Sequence, residues 1–157
     1  MKKNILVAFV IVIIIFLGLI IWRKDQKLPQ NIIQNSQPTD FSDDAVFADG
    51  SVPTTWDIAG ITDPVGFKKF LLTLQTAVLA HDKNIVVASL DTKKFTKEDA
   101  LNNYDILFNP KVVNAFQNLN IHQIFRNYQG AMIGNGTVWF EQNNDGTFSI
   151  LAINNKN

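Results

Sequence analysis

Eighteen consecutive apolar positions, Ile5 to Trp22, stand near the start of the chain, with Lys2 and Lys3 before them and Arg23 and Lys24 after. As a helix rising ~1.5 Å per residue, the run is about 27 Å long, close to the hydrocarbon thickness of a bilayer. Nothing polar marks a solvent face, which argues against a helix buried in a globular core. From Asp25 to Val52 hydrophobic residues are sparse among Gln, Asn, Pro, Ser and Asp. Such a stretch cannot bury enough apolar surface to fold alone and reads as a polar tether, with a partner-docking segment around Phe41 to Phe47 as its other reading. Regular apolar spacing then holds from Pro53 to Asn157, a length that suits one compact domain. The predicted organisation is an anchor over residues 1–24, a tether over 25–52 and a folded domain over 53–157.

Within that domain the first half is helical. Asp63-Pro64 supplies a capping carboxylate and a proline where its missing N–H costs nothing. Phe67, Phe70, Leu71, Leu74, Ala77 and Val78 then form one apolar stripe. The helix should stop near His81-Asp82, with a short one over Asn84–Leu90. Thr96, with Asp99 three residues on, opens another helix whose buried side is Leu101, Tyr104, Leu107 and Phe108. Asn109-Pro110 repeats the cap-plus-proline device ahead of Lys111–Gln117.

The second half is extended. Ile121–Tyr128 predicts a strand. Ala131–Ile133 and Thr137–Phe140, rich in β-branched and aromatic residues, predict one long strand bent or bulged at Gly134-Asn135-Gly136. Asn144-Asp145-Gly146 is a hairpin signal, with Thr147–Ile153 as the returning strand. Helices followed by a curved antiparallel sheet describe an α+β domain.

Charge and cysteine content narrow the setting. The chain has no net charge and no cysteine. Acylation as a lipoprotein is therefore excluded, and so is any disulfide. Pro53–Asn157 balances nine acidic against nine basic residues without a basic run, so nucleic-acid binding has no electrostatic footprint. Bulky and charged residues after Trp22 make a poor cleavage site. The expectation is an uncleaved single-pass anchor in the inner, cytoplasmic membrane; secretion after signal cleavage is the alternative. Lys2, Lys3 and the terminal amine outweigh Arg23 and Lys24, partly offset by Asp25, which favours an extracytoplasmic, periplasmic domain.

Several stretches carry a family resemblance. They are Ala80-His81-Asp82-Lys83, Asn103-Tyr104-Asp105-Ile106-Leu107-Phe108, Gly130-Ala131-Met132-Ile133-Gly134-x-Gly136-x-Val138-Trp139-Phe140 and Ala152-Ile153-Asn154-Asn155. In this order they resemble small secreted or envelope-attached bacterial proteins of unassigned role in the nuclear-transport-factor-2-like, cystatin-related superfamily. The resemblance implies helices closing the concave face of a curved sheet around a conical pocket. That superfamily includes isomerases, dehydratases, transport adaptors and periplasmic domains of secretion-system subunits, so it implies no one activity.

Candidate chemistry is sparse. Tyr104-Asp105 could serve proton transfer, but adjacent helical residues face about 100° apart. Tyr104 then belongs to the core with its hydroxyl bonded, and Asp105 to the surface. His81-Asp82 suits a helix end and the turn after it. His122 has no second ligand at metal spacing, so neither metal nor cofactor is expected. Arg126, the one arginine of the folded domain, sits mid-strand and must reach solvent or meet a carboxylate, for which Glu141 on a neighbouring strand is the natural candidate. Its other reading is an anion-binding group at the pocket mouth. Trp56, Trp139 and the phenylalanines suit core and sheet packing, or an aromatic-lined pocket. There is no phosphate-cradling loop and no nucleophile elbow. Tyr104, Arg126 and Trp139 are the candidate ligand-binding residues, and no residue stands out as catalytic. The expected function is non-catalytic binding, with an envelope protein as partner and residues 5–22 in the bacterial membrane. The alternatives are a pocket for a small apolar ligand, or an isomerase- or dehydratase-like enzyme using Asp105, Tyr104 or the His81-Asp82 pair.

Overall fold

The computed structural model describes residues 41, 44, 46, 47 and 49–156. The apolar run over residues 5–22 and most of the tether lie outside them. Among the described residues no helix is long and apolar enough to cross a membrane. Over the described residues the fold is α+β: a turn of 3₁₀ helix and five α-helices, then a four-stranded antiparallel sheet.

Helix α1 (Pro64–Leu79) starts where the caps predict, with Asp63 accepting from the Gly66 N–H at 2.8 Å. It ends in a left-handed turn: His81 has φ 54°, its N–H bonds the Val78 carbonyl, and the Asp82 N–H reaches back to Ala77. That closes the last free carbonyls of α1. Asp82 then accepts from the Ile85 N–H and caps α2 (Lys83–Ala88). Both residues of the His81-Asp82 pair thus join two helices.

The helix expected through Phe108 is broken. α3 (Lys97–Asn102) and α4 (Tyr104–Leu107) part at Asn103, whose side chain and backbone N–H both bond the Asp99 carbonyl. An asparagine that bonds locally competes with helix continuation. At the second cap-plus-proline, Asn109 accepts from Lys111 and Val112 at the head of α5 (Pro110–Gln117).

Strands β1 (Phe125–Asn127), β2 (Gly130–Ile133), β3 (Val138–Gln142) and β4 (Phe148–Ile153) form a meander in sequence order. The expected strand over Ile121–Tyr128 is reduced to three residues, because Asn120 accepts from His122 and Gln123 and curls the chain ahead of it. The expectation of one long strand bent at the glycine pair is also corrected. Gly134, Asn135 and Gly136 have φ of 60°, 52° and 83°, and this left-handed run reverses the chain so that Ile133 faces Val138 and Ala131 faces Phe140. The register irregularity lies elsewhere: Trp139 faces Ala152 and Phe140 faces Ile150, leaving Leu151 as the extra residue of β4. The Asn144-Asp145-Gly146 turn joins β3 to β4, with Asn143 and Thr147 bonded across it.

Side chains alternate across the sheet. Arg126, Ala131, Phe140 and Ile150 share the inner face and are buried. Phe125, Met132 and Trp139 share the outer one, where Phe125 is exposed and the other two half-buried. The Phe67 ring of α1 meets Trp56, Phe140 and Phe148 edge-on at 5.6, 5.8 and 5.4 Å. Phe116 of α5 reaches Phe140 at 6.5 Å. These rings fill the space between helix and sheet.

Candidate functional site

The most unusual chemistry lies where α1, β1 and the turn of 3₁₀ helix at Trp56–Ala59 meet. Lys68 follows Phe67 on α1 and is 1% exposed; Arg126, on the inner face of β1, is 4% exposed. Cations at such burial need an anion and hydrogen-bond acceptors. The anion is Asp44, from the stretch read as tether. Its Oδ1 lies 2.8 Å from Lys68 Nζ, and its Oδ2 lies 2.6 Å from Arg126 Nη2. Trp56 Nε1 donates to the same Oδ2 at 3.1 Å, while the Arg126 guanidinium stacks 3.9 Å above the Trp56 ring. Backbone carbonyls accept further bonds: Phe41 from Lys68, and Thr54 and Ile124 from Arg126. Burial pushes the Asp44 carboxyl up, but the contacts with Lys68 and Arg126 outweigh it and hold it below its ordinary value.

The expected partner of Arg126, Glu141, is corrected by the same geometry. Arg126 aligns through Ala131 with Phe140, so Glu141, one residue on, belongs to the opposite face. Lys68 escaped the sequence reading too. It lies three residues before Leu71, and that spacing sets it at the edge of the apolar stripe.

Two hollows flank Arg126. One is a cleft of about 600 Å³ between the Phe47–Val52 stretch, the end of α5, β1 and the β2–β3 turn, with Phe47, Leu119, Phe125 and Met132 in its wall. Its charged side chains are Asp49 and Arg126, and Ser51 holds the Asp49 carboxyl below its ordinary value. The other is a shallow depression of about 470 Å³ that opens on Asp44, Trp56, Thr62 and Arg126.

Of the three candidate ligand-binding residues, Arg126 lines both of these hollows, while Tyr104 and Trp139 line neither. Trp139 faces outward from β3. Tyr104 is 2% exposed and stacked on Phe108 at 4.9 Å. Its hydroxyl has no hydrogen-bond partner among the described residues, contrary to the expectation of a bonded one. Burial, with Asp105 and Asp82 nearby, pushes that hydroxyl's pKa up. Asp105 points to solvent and pairs with Lys83 at 3.1 Å. Among the described residues no group of three or more His, Asp or Glu could hold a metal. Comparison of the chain with protein-family models, curated proteins and solved structures found no match.

Proposed function

We propose that the protein is a membrane-anchored, extracytoplasmic binding domain of the bacterial envelope that works without catalysis. The anchor in this reading is the run over residues 5–22, and the fold a variant of the nuclear-transport-factor-2-like arrangement of helices on a curved sheet. The observation that carries the binding role is the cleft beside Arg126. It offers apolar and amide surface, but among the described residues no histidine and no lysine. Its carboxylate, Asp49, is held in the ionised form, and its guanidinium is already engaged by Asp44. Acid–base catalysis needs a group poised near the working pH, and the cleft presents none. A polar-rimmed apolar cleft of this kind instead suits a segment of another protein.

The alternatives draw less support. An apolar ligand between helix and sheet would have to displace Phe67, Phe116 and Phe140, all fully buried. An enzyme using Tyr104 with Asp105 would need two side chains that diverge to converge. The deciding experiment is crosslinking in intact cells, followed by affinity capture of the full chain tagged at Asn157 and identification of captured proteins by mass. A stoichiometric envelope protein is expected. A blank from a bait shown to be folded would sink the binding reading.

A further inference from the structure

Three donors from three separate elements converge on one carboxylate. Lys68 comes from α1, Arg126 from β1 and Trp56 from the 3₁₀ turn, and each is set by the core around it. All three belong to the folded body of the domain. The occupant is held differently. Asp44 comes from a polar stretch whose other described ties are the half-buried Phe41 ring against the core and near Lys69, the Phe41 carbonyl on Lys68, and the Val46 carbonyl on the Gln123 amide. A tight turn bonded between Phe47 and both Gly50 and Ser51 folds that stretch back onto the domain.

Charge and access complete the case. Lys68 and Arg126 bring two buried positive charges to the single carboxylate of Asp44, so the cluster still favours anions after Asp44 has docked. The depression beside it reaches Asp44, Trp56 and Arg126 from solvent, and the Asp44 side chain keeps 17% of its surface exposed. An incoming carboxylate would enter from this depression by taking the place of Asp44, the more exposed member of the pair with Arg126.

We propose that Lys68, Arg126 and Trp56 form a carboxylate-binding site, with Asp44 as its resident and exchangeable occupant. The ligand class is a carboxylate, supplied by an aspartate or glutamate on an extended protein segment or by a small free acid. Exchange also loosens the wall of the neighbouring cleft, because Phe47, Asp49, Ser51 and Val52 follow Asp44 along the chain and line it. This deepens the binding reading above and rests on it for the partner, but the site itself needs neither an anchor nor an envelope.

The test empties the site and offers a replacement. The full chain carrying Asp44→Ala, in nonionic detergent at neutral pH, is melted in sodium acetate and in sodium chloride of equal ionic strength. Acetate should raise its melting temperature saturably, by about 5 °C or more, and that of the wild type by less and only at higher concentration, because Asp44 competes there for the site. A peptide with the sequence of residues 41–47 is the second probe. Action at far lower concentration than acetate assigns the site to a protein segment; no gain over acetate assigns it to a small acid. Asp44→Asn, which keeps the side-chain volume, is tested in parallel. If neither variant folds alone, acetate-dependent recovery of helical circular dichroism is the same readout. No acetate-specific effect in either variant overturns the site, whatever the crosslinking finds. Acetate rescue with a blank crosslink would instead leave the site standing and remove the envelope partner.

Discussion

Replacing Asp44 by Asn removes one negative charge and almost no volume, so its cost isolates the electrostatics of the cluster. Breaking a buried ion pair by deleting one partner costs roughly 3–5 kcal/mol, because the other charge stays buried and uncompensated. Two features reduce that here. Asp44 retains 17% exposure, and carbonyls of Phe41, Thr54 and Ile124 still accept from the two cations. The remaining loss should be roughly 2–3 kcal/mol. Urea denaturation followed by circular dichroism measures it as a lower midpoint at unchanged slope. Asp105→Asn is the control: its pair with Lys83, whose two side chains are 78% and 42% exposed, belongs to the class that contributes about 0–1 kcal/mol. The dependence on pH has a definite sign. The folded-state pKa of Asp44 lies below its ordinary value of 3.8, so its stabilisation is fully present above that value and is lost as pH falls through the folded-state one. The gap between wild type and Asp44→Asn should therefore be constant near neutrality and close at lower pH. Equal losses in Asp44→Asn and Asp105→Asn, or a gap that widens on acidification, would refute the reasoning.

Three further predictions concern local geometry. Gly134→Ala should cost more than Gly136→Ala: both need a positive φ, worth about 1–2 kcal/mol for an alanine, but a Cβ at 134 would lie 2.3 Å from that of Ala115, whereas one at 136 meets nothing nearer than 3.6 Å. Equal melting temperatures for the two variants would exclude the close approach of this turn to α5. Tyr104→Phe should leave stability unchanged or raise it by up to about 1 kcal/mol, since it removes a buried hydroxyl without a partner; a clear loss in thermal melting would reveal a bond to that oxygen. A fragment beginning at Pro53 should be less stable than one beginning at Thr39, because the shorter one lacks the carboxylate that pairs with Lys68 and Arg126. Matching denaturation midpoints would count against the cluster as a stabilising element.

What the sequence disclosed follows the range of the forces involved. Asp63-Pro64, Asn109-Pro110 and Asn144-Asp145-Gly146 were legible because caps and tight turns are settled by side chains bonding backbone within a few residues. The turn at Gly134-Asn135-Gly136 was legible as a bend but not as a reversal. Its three left-handed residues differ from the two-residue hairpin pattern, and an asparagine between two glycines does not declare its own φ. The break at Asn103 was hidden by apolar spacing that continues correctly across it: Tyr104 and Phe108 are buried on either reading. The ion cluster was half legible. A strand arginine demands a carboxylate, but pairing it with Glu141 required a register that side-chain alternation forbids.

Composition read in windows has no means of finding Asp44. In a solvated spacer an aspartate costs nothing, so one that clasps a distant cation looks the same as one that does not. The information sits at the other end of the contact. Lys68 lies at the edge of an apolar stripe and Arg126 within a strand, and burying either charge alone would cost several kcal/mol. Their burial therefore requires an anion somewhere in the chain or from outside it. The hydrogen bond of Trp56 Nε1 to the same oxygen narrows the choice to a carboxylate lying against that indole. Working outward from the buried cations, rather than along the spacer, reaches the residue that polar composition conceals.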